Sequence, residues 1–436
     1  MLDSKNVGAA GGVVGTNNGT VDNATSRDSV IAGKDANFGG ALTTAGGIAG
    51  INTGLVANSQ SHSAVIASKT STYSLGGIVG VNTAKDNIDD NKITAGLDNV
   101  NAYGVTGSSI LVDNTGGIAG LNSGTLNDAY NESIVKGSSN VGGIAGTNSG
   151  EISLIVNGAS VTAKGNYTGG LVGSTTDSIS DGRNNGVITG VNYVGGLVGS
   201  NGNGVTLEDL TNDSSAEIIG KEYVGGIAGT NSGSISTTDT NLINRGSITG
   251  NKYVGGIAGE NKGTIANVNN DIVLNVTGTG AEYFGGVTGI NTEQGTIKNA
   301  TNRGNINASG ATYVGGIAGV NNGKLDDFNG NYGDVTGENK VGGAVGQNNV
   351  GIDDVKLVNT GEVTSNGGAG GIFGENTANA NITNSDLSNS GTVTGGGNDK
   401  DSGTGGLIGI NSGDIEKTSL RNEVNGNVSG VYKTLP

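Results

Sequence analysis

The feature that most constrains this chain is a repeat. The segment Tyr223-Val224-Gly225-Gly226-Ile227-Ala228-Gly229-Thr230-Asn231-Ser232-Gly233 returns almost unchanged thirty residues later, from Tyr253 to Gly263. Its five-residue centre, two glycines, two small or apolar residues and a third glycine, starts at Gly11, Gly46, Gly76, Gly116, Gly142, Gly169, Gly195, Gly225, Gly255, Gly285, Gly315, Gly342, Gly370 and Gly405, fourteen copies in all. Self-similarity at such a period marks units that cannot bury an apolar face alone and must stack on one another. The spacings are regular in the centre and longer towards both ends, as expected where extra residues loop out at a corner. An asparagine follows the last motif glycine by two positions in thirteen copies, and Thr175 alone breaks the column.

Between motifs lie short alternating apolar and polar runs, such as Ser234-Ile235-Ser236 and Ser247-Ile248-Thr249. These read as strands. Asn231-Ser232-Gly233 and Asn244-Arg245-Gly246 separate them with residues that tolerate positive φ, and the sequence predicts left-handed corners there. No stretch offers helical apolar spacing free of glycine, which costs about 1 kcal/mol per helical position against alanine. The predicted fold is therefore all-β: a parallel β-helix or β-solenoid of about fourteen coils, with three short strands per coil and a right-handed course. At about 4.8 Å per coil it would be a rod of about 65–70 Å. Paired glycines would mark places where a side chain clashes with neighbouring coils. Residues 1–10 read as a lead-in, 11–423 as a single solenoid and 424–436 as the remnant of a further coil, with neither terminus a complete cap, so the chain is expected to be part of a longer polypeptide.

Composition sharpens the functional classes. The 87 glycines and 33% hydrophobic residues suit a thin core repeated many times rather than one thick core. A net charge of −16 repels phosphate backbones and anionic lipid, so nucleic acid is not an expected partner, and no segment reads as a membrane span. There is no cysteine and only one histidine, His62, which argues against triads and histidine-based zinc chemistry. Clustered carboxylates can act as acid and base in carbohydrate cleavage, but Asp89-Asp90, Asp326-Asp327 and Asp353-Asp354 fall in different coils, in insertions or just after turns, and read as solvated loop acids. The chain is expected to be no enzyme and to carry no cofactor. Calcium is the one ion worth weighing, at Asp86-Asn87-Ile88-Asp89-Asp90-Asn91, although its spacing matches no calcium loop.

The motif itself, Gly-Gly-Leu-Val-Gly at Gly169 to Gly173 and at Gly195 to Gly199, and Gly-Gly-Ile-Ala-Gly elsewhere, resembles the GLUG motif. The resemblance spans Gly11 to about Gly413. That repeat belongs to large bacterial surface proteins, including adhesins and haemagglutinin-like proteins. The resemblance implies a non-enzymatic, extracellular stalk or adhesin segment on a bacterial surface, whose export signal and anchor lie outside this chain. A self-assembling filament or surface-layer subunit is the alternative, and a carbohydrate-active β-helix a more distant one. Expected partners are a host-surface glycan or protein, or copies of the chain itself.

Tyrosine supplies the one candidate binding feature. Tyr167, Tyr193, Tyr223, Tyr253, Tyr283 and Tyr313 occupy the same slot in six consecutive repeats, two residues before the paired glycines. Stacking of repeats predicts one file. It is either an exposed aromatic stripe for a ligand or an intramolecular ladder that only stabilises the central coils, and the ladder is the favoured reading. The asparagine column predicts a second file, of amides bonding along the axis or to corner backbone.

Overall fold

A computed structural model describes residues 8–27, 29–32, 42–67, 74–83, 96–102, 112–236, 243–276, 280–396, 402–423 and 428–430. Among these there is no helix, and the strands pair in parallel as a β-solenoid. The stack amounts to about 11 turns, somewhat fewer than the fourteen the motif count suggests, although a motif strand is present at every copy. Parts of several coils, residues 33–41, 84–95 and 103–111 among them, lie outside the described residues. The chain divides into two compact units, Met1–Glu217 and Ile218–Pro436.

In each unit the residues after the paired glycines form one face. Unit 2 stacks Ala228–Asn231, Ala258–Asn261, Thr288–Asn291, Ala318–Asn321, Val345–Asn348, Phe373–Asn376 and Ile408–Asn411, with each asparagine paired to the next. Unit 1 does the same from Val14–Asn17 to Val198–Asn201, with Thr175 in place of one asparagine. The coil from Lys252 shows the rest: Lys252–Gly255, Ala258–Asn261, Thr264–Ala266 and Asn269–Asn270, then Leu274–Val276. Strict register follows from the alternation, because a one-residue slip would turn the core outward.

The core is a set of aliphatic columns. Ile227, Ile257, Val287 and Ile317 form one, Ile235, Ile265 and Ile297 another, and all are fully buried. Burying each such side chain contributes about 1.5–3 kcal/mol. The second motif glycine faces this interior. A Cβ on Gly286 would overlap the carbonyl of Gly316 in the next coil and the side chain of Asn302 across the interior. The paired glycines are therefore a packing requirement, as the repeat suggests.

The corners depart from expectation. Among the described residues only Gly204 and Gly280 are left-handed glycines, and neither Asn231-Ser232-Gly233 nor Asn244-Arg245-Gly246 has a positive φ. The asparagine side chains make these turns instead: Asn231 Nδ2 donates to the Gly233 carbonyl at 3.3 Å, and the Gly246 N–H donates to Asn244 Oδ1 at 3.2 Å. The corner glycine is kept for space, since a Cβ on Gly263 would overlap the Gly233 carbonyl of the coil before it.

Left-handed backbone falls elsewhere, in two columns. One interrupts the second face at Asn23, Asn58, Asp128, Leu154, Asp181 and Asp209 in unit 1 and at Asn267, Asn299, Asp327, Asp354, Asn384 and Lys417 in unit 2. The other is the tyrosine slot.

Candidate functional site

All six tyrosines are left-handed, with φ between 54° and 65°. This is an uncommon conformation for a bulky side chain. It places each ring outside the stack, because the next residue in every coil, Thr168, Val194, Val224, Val254, Phe284 or Val314, points inward and is fully buried. The rings themselves are half-buried. In unit 1 the Tyr167 and Tyr193 centroids lie 5.0 Å apart at 23°. In unit 2 the rings of Tyr223, Tyr253, Tyr283 and Tyr313 follow one another at 4.5, 4.7 and 5.1 Å, within 11° of parallel. The same left-handed slot holds Asn114 and Asn140 in earlier coils and Lys340 in the coil after Tyr313.

Close approach of backbones sets this geometry. A Cβ on Gly259 would overlap the backbone of Tyr223, and one on Gly289 that of Tyr253, so the third motif glycine leaves room for the bend of the preceding coil. Stacking rings at the coil spacing, worth about 0.5–1.5 kcal/mol per pair, offsets part of the cost of that conformation.

Charges attend the file. Lys252 Nζ lies 5.4 Å from the centroids of both Tyr253 and Tyr283 and 3.0 Å from Glu282, whose hydrogen bond holds the ammonium above its ordinary pKa. Lys340 Nζ lies 5.1 Å from the Tyr313 centroid and 2.7 Å from Glu375, to which Gln347 also donates at 2.6 Å. Burial would lower the Lys340 ammonium, but the hydrogen bond and charge of Glu375 outweigh it and the pKa is raised. Burial, with Glu282 adding to it, also raises the Tyr283 phenol, which stays neutral.

Two amide ladders run inside the units, buried except at their last members, Asn411 and Asn422. The expected one joins Asn17, Asn52, Asn82, Asn122 and Asn148 at 2.7–2.9 Å and then reaches the Thr175 hydroxyl at 3.2 Å. In unit 2 it runs unbroken from Asn231 through Asn261, Asn291, Asn321, Asn348 and Asn376 to Asn411 at 2.8–2.9 Å. The second was not foreseen: Asn131, Asn157, Asn184 and Asn212 in unit 1, and Asn270, Asn302, Asn331, Asn359, Asn389 and Asn422 in unit 2. Its sequence signal is a recurring asparagine with glycine two residues on, as at Asn302, Asn331, Asn359 and Asn389.

The described acidic pairs are not loop acids: Asp326, Asp327 and Asp353 lie on strands of the stack, Lys324–Asn331 and Ile352–Asp353. Asp327 and Asp354 fill the left-handed slot of the second face in successive coils. Lys298 holds Asp327 and Lys324 holds its neighbour Asp326, each at 2.9 Å, while Asp353, beside Asp354, accepts from Thr383 and Asn384 at 2.7 and 2.8 Å. His62 is exposed. Asp89-Asp90 and the calcium candidate from Asp86 to Asn91 lie outside the described residues, and among the described ones no group of three or more His, Asp or Glu could hold a metal. No described helix is long and apolar enough to cross a membrane. Comparison with protein-family models, curated proteins and solved structures finds no match for this chain.

Proposed function

We propose that this chain is a non-enzymatic segment of a bacterial cell-surface protein, displayed outside the cell, and that its repeats serve adhesion or spacing. The resemblance of its glycine motifs to GLUG repeats supports this reading. The observation that carries it is the tyrosine file: one chemistry presented coil after coil at a fixed interval, half-exposed, on a stack held by internal ladders. Repeated weak contacts on a rigid array gain affinity by multivalency, without any single deep pocket.

The test is retention of the purified full chain on a glycan array and on intact host-cell surfaces, beside a Tyr253→Ala/Tyr283→Ala variant. Binding by the native chain that the variant loses supports adhesion through the file. A chain that binds nothing, yet scatters more light as its concentration rises, would make self-assembly the better reading, and cleavage of any polysaccharide in the panel would overturn the non-enzymatic one.

A further inference from the structure

Tyr253 and Tyr283 each have a parallel ring against both faces, at 4.5–5.1 Å between centroids. No flat ligand can stack on them, and that spacing leaves no room to insert between them. Lys340, tied to Glu375, covers the end of the file beyond Tyr313. The exposure that remains belongs to ring edges and hydroxyls, so the file offers solvent a row of phenol groups repeated at the coil spacing. Each hydroxyl can both donate and accept a hydrogen bond.

Beside that row runs a second column, Glu222, Lys252, Glu282 and Thr312, in register from coil to coil. Its charges alternate, and Lys252 is already bonded to Glu282. The flank thus carries one net negative charge over four coils, at Glu222, while the chain as a whole is strongly acidic. An anionic polymer is repelled, and a cationic one finds a single unpaired carboxylate, Glu222, in four coils instead of a row of them. A neutral ligand bearing hydroxyls at a regular repeat meets both conditions.

We propose that the hydroxyl row of Tyr223, Tyr253, Tyr283 and Tyr313 binds a neutral linear polysaccharide laid along the file, one sugar residue per coil, by hydrogen bonds at the ring edges instead of by stacking on ring faces. The proposal rests on the adhesive reading above and narrows its ligand class. A single sugar makes only one or two such bonds, each of modest net worth, so useful affinity requires several coils engaged by one chain.

The experiment is calorimetric titration of the full chain with cello- and manno-oligosaccharides of one to six units, with trigalacturonate as the anionic control, repeated on Tyr253→Phe/Tyr283→Phe. The phenylalanine variant keeps the stack and deletes two hydroxyls, and its near-ultraviolet circular dichroism checks that the stack is intact. The expected result is affinity that grows with length up to about four units, and a loss of about tenfold in the phenylalanine variant. Equal binding by native and variant chains, equal binding of dimer and hexamer, or tighter binding of trigalacturonate would overturn the proposal. If the chain adheres to surfaces in the retention assay yet ignores every neutral oligomer, this inference falls alone. If it adheres to nothing, both fall.

Discussion

The two units share a backbone plan and differ in what their side chains add to it. In unit 1 the left-handed slot before the paired glycines holds Asn114 and Asn140 before Tyr167 and Tyr193, and the first amide ladder reaches a threonine at Thr175. In unit 2 the slot carries four tyrosines and then Lys340, the ladder is asparagine throughout, and ion pairs such as Lys252–Glu282, Lys298–Asp327 and Arg421–Asp386 tie successive coils together. In unit 1 the described residues show one such pair, Arg183–Asp213. The glycine packing and the aliphatic columns are common to both. The difference teaches that glycine and the inward residues specify the solenoid, while the outward columns are free to be specialised.

The largest expected effect tests what the units share. Gly286→Ala in unit 2 and Gly170→Ala in unit 1 each drive a methyl group into a carbonyl of the next coil and a ladder asparagine. Each should cost about 3 kcal/mol in urea denaturation, at the upper end of overpacking penalties. A large cost in one unit and none in the other would break the claim of a common plan.

Asn291→Ala comes next. It strips a partner from the buried amides of Asn261 and Asn321, and should cost about 2–3 kcal/mol, read as faster amide exchange through unit 2. The reverse change, Thr175→Asn, should slow exchange around Asn148 by about 1 kcal/mol if the threonine is a weak link in the unit 1 ladder. No gain there would mean that the hydroxyl, which also donates to the Asp177 carbonyl, already satisfies the site.

Smaller effects concern the tyrosine slot. Tyr253→Ala removes two stacking contacts but keeps the left-handed backbone, and should cost about 1–2 kcal/mol by denaturation. Asn140→Tyr should extend the file onto Tyr167 and stabilise unit 1 by about 0.5–1 kcal/mol. The smallest effect is alkaline. Tyr283 and Lys340 have folded pKa values raised above their ordinary 10.0 and 10.5, so the stability they lend is complete below those values and is lost as pH rises through the folded ones. Amide exchange near Tyr283 should accelerate above about pH 10 before exchange near Gly170 does, and simultaneous loss would remove the distinction between the units.

Much of this was legible in the residues. The paired glycines, the alternating runs and the asparagine column announce a stack, and Thr175 is visible at once as the exception. The left-handed tyrosines were not legible. Local preference gives Tyr253 an ordinary strand conformation, and only the backbone of Gly289 in the next coil together with two flanking rings makes the bend tolerable. The corners misled for the opposite reason. Asn231 and Gly233 look like positive-φ residues, but the amide closes the turn, and at the equivalent Gly263 the glycine answers to the Gly233 carbonyl one coil away. The outward direction of the tyrosines depended on that bend, so alternation alone could not assign it. The Asn302 column went unread because an asparagine two before a glycine has the same local signature as any turn.

In each unit's first ladder, from Asn17 to Asn148 and from Asn231 to Asn411, the Nδ2 of one asparagine donates to the Oδ1 of the asparagine one coil later. The amide dipoles therefore point the same way and polarise one another, so each chain of bonds is a vector with a beginning and an end. One amide cannot invert alone, since it would set oxygen against oxygen and nitrogen against nitrogen at its two neighbours. Whole coils can be gained or lost by recombination without disturbing this sense, whereas a fragment of a coil cannot, which makes the complete repeat the natural quantum of change in such a protein.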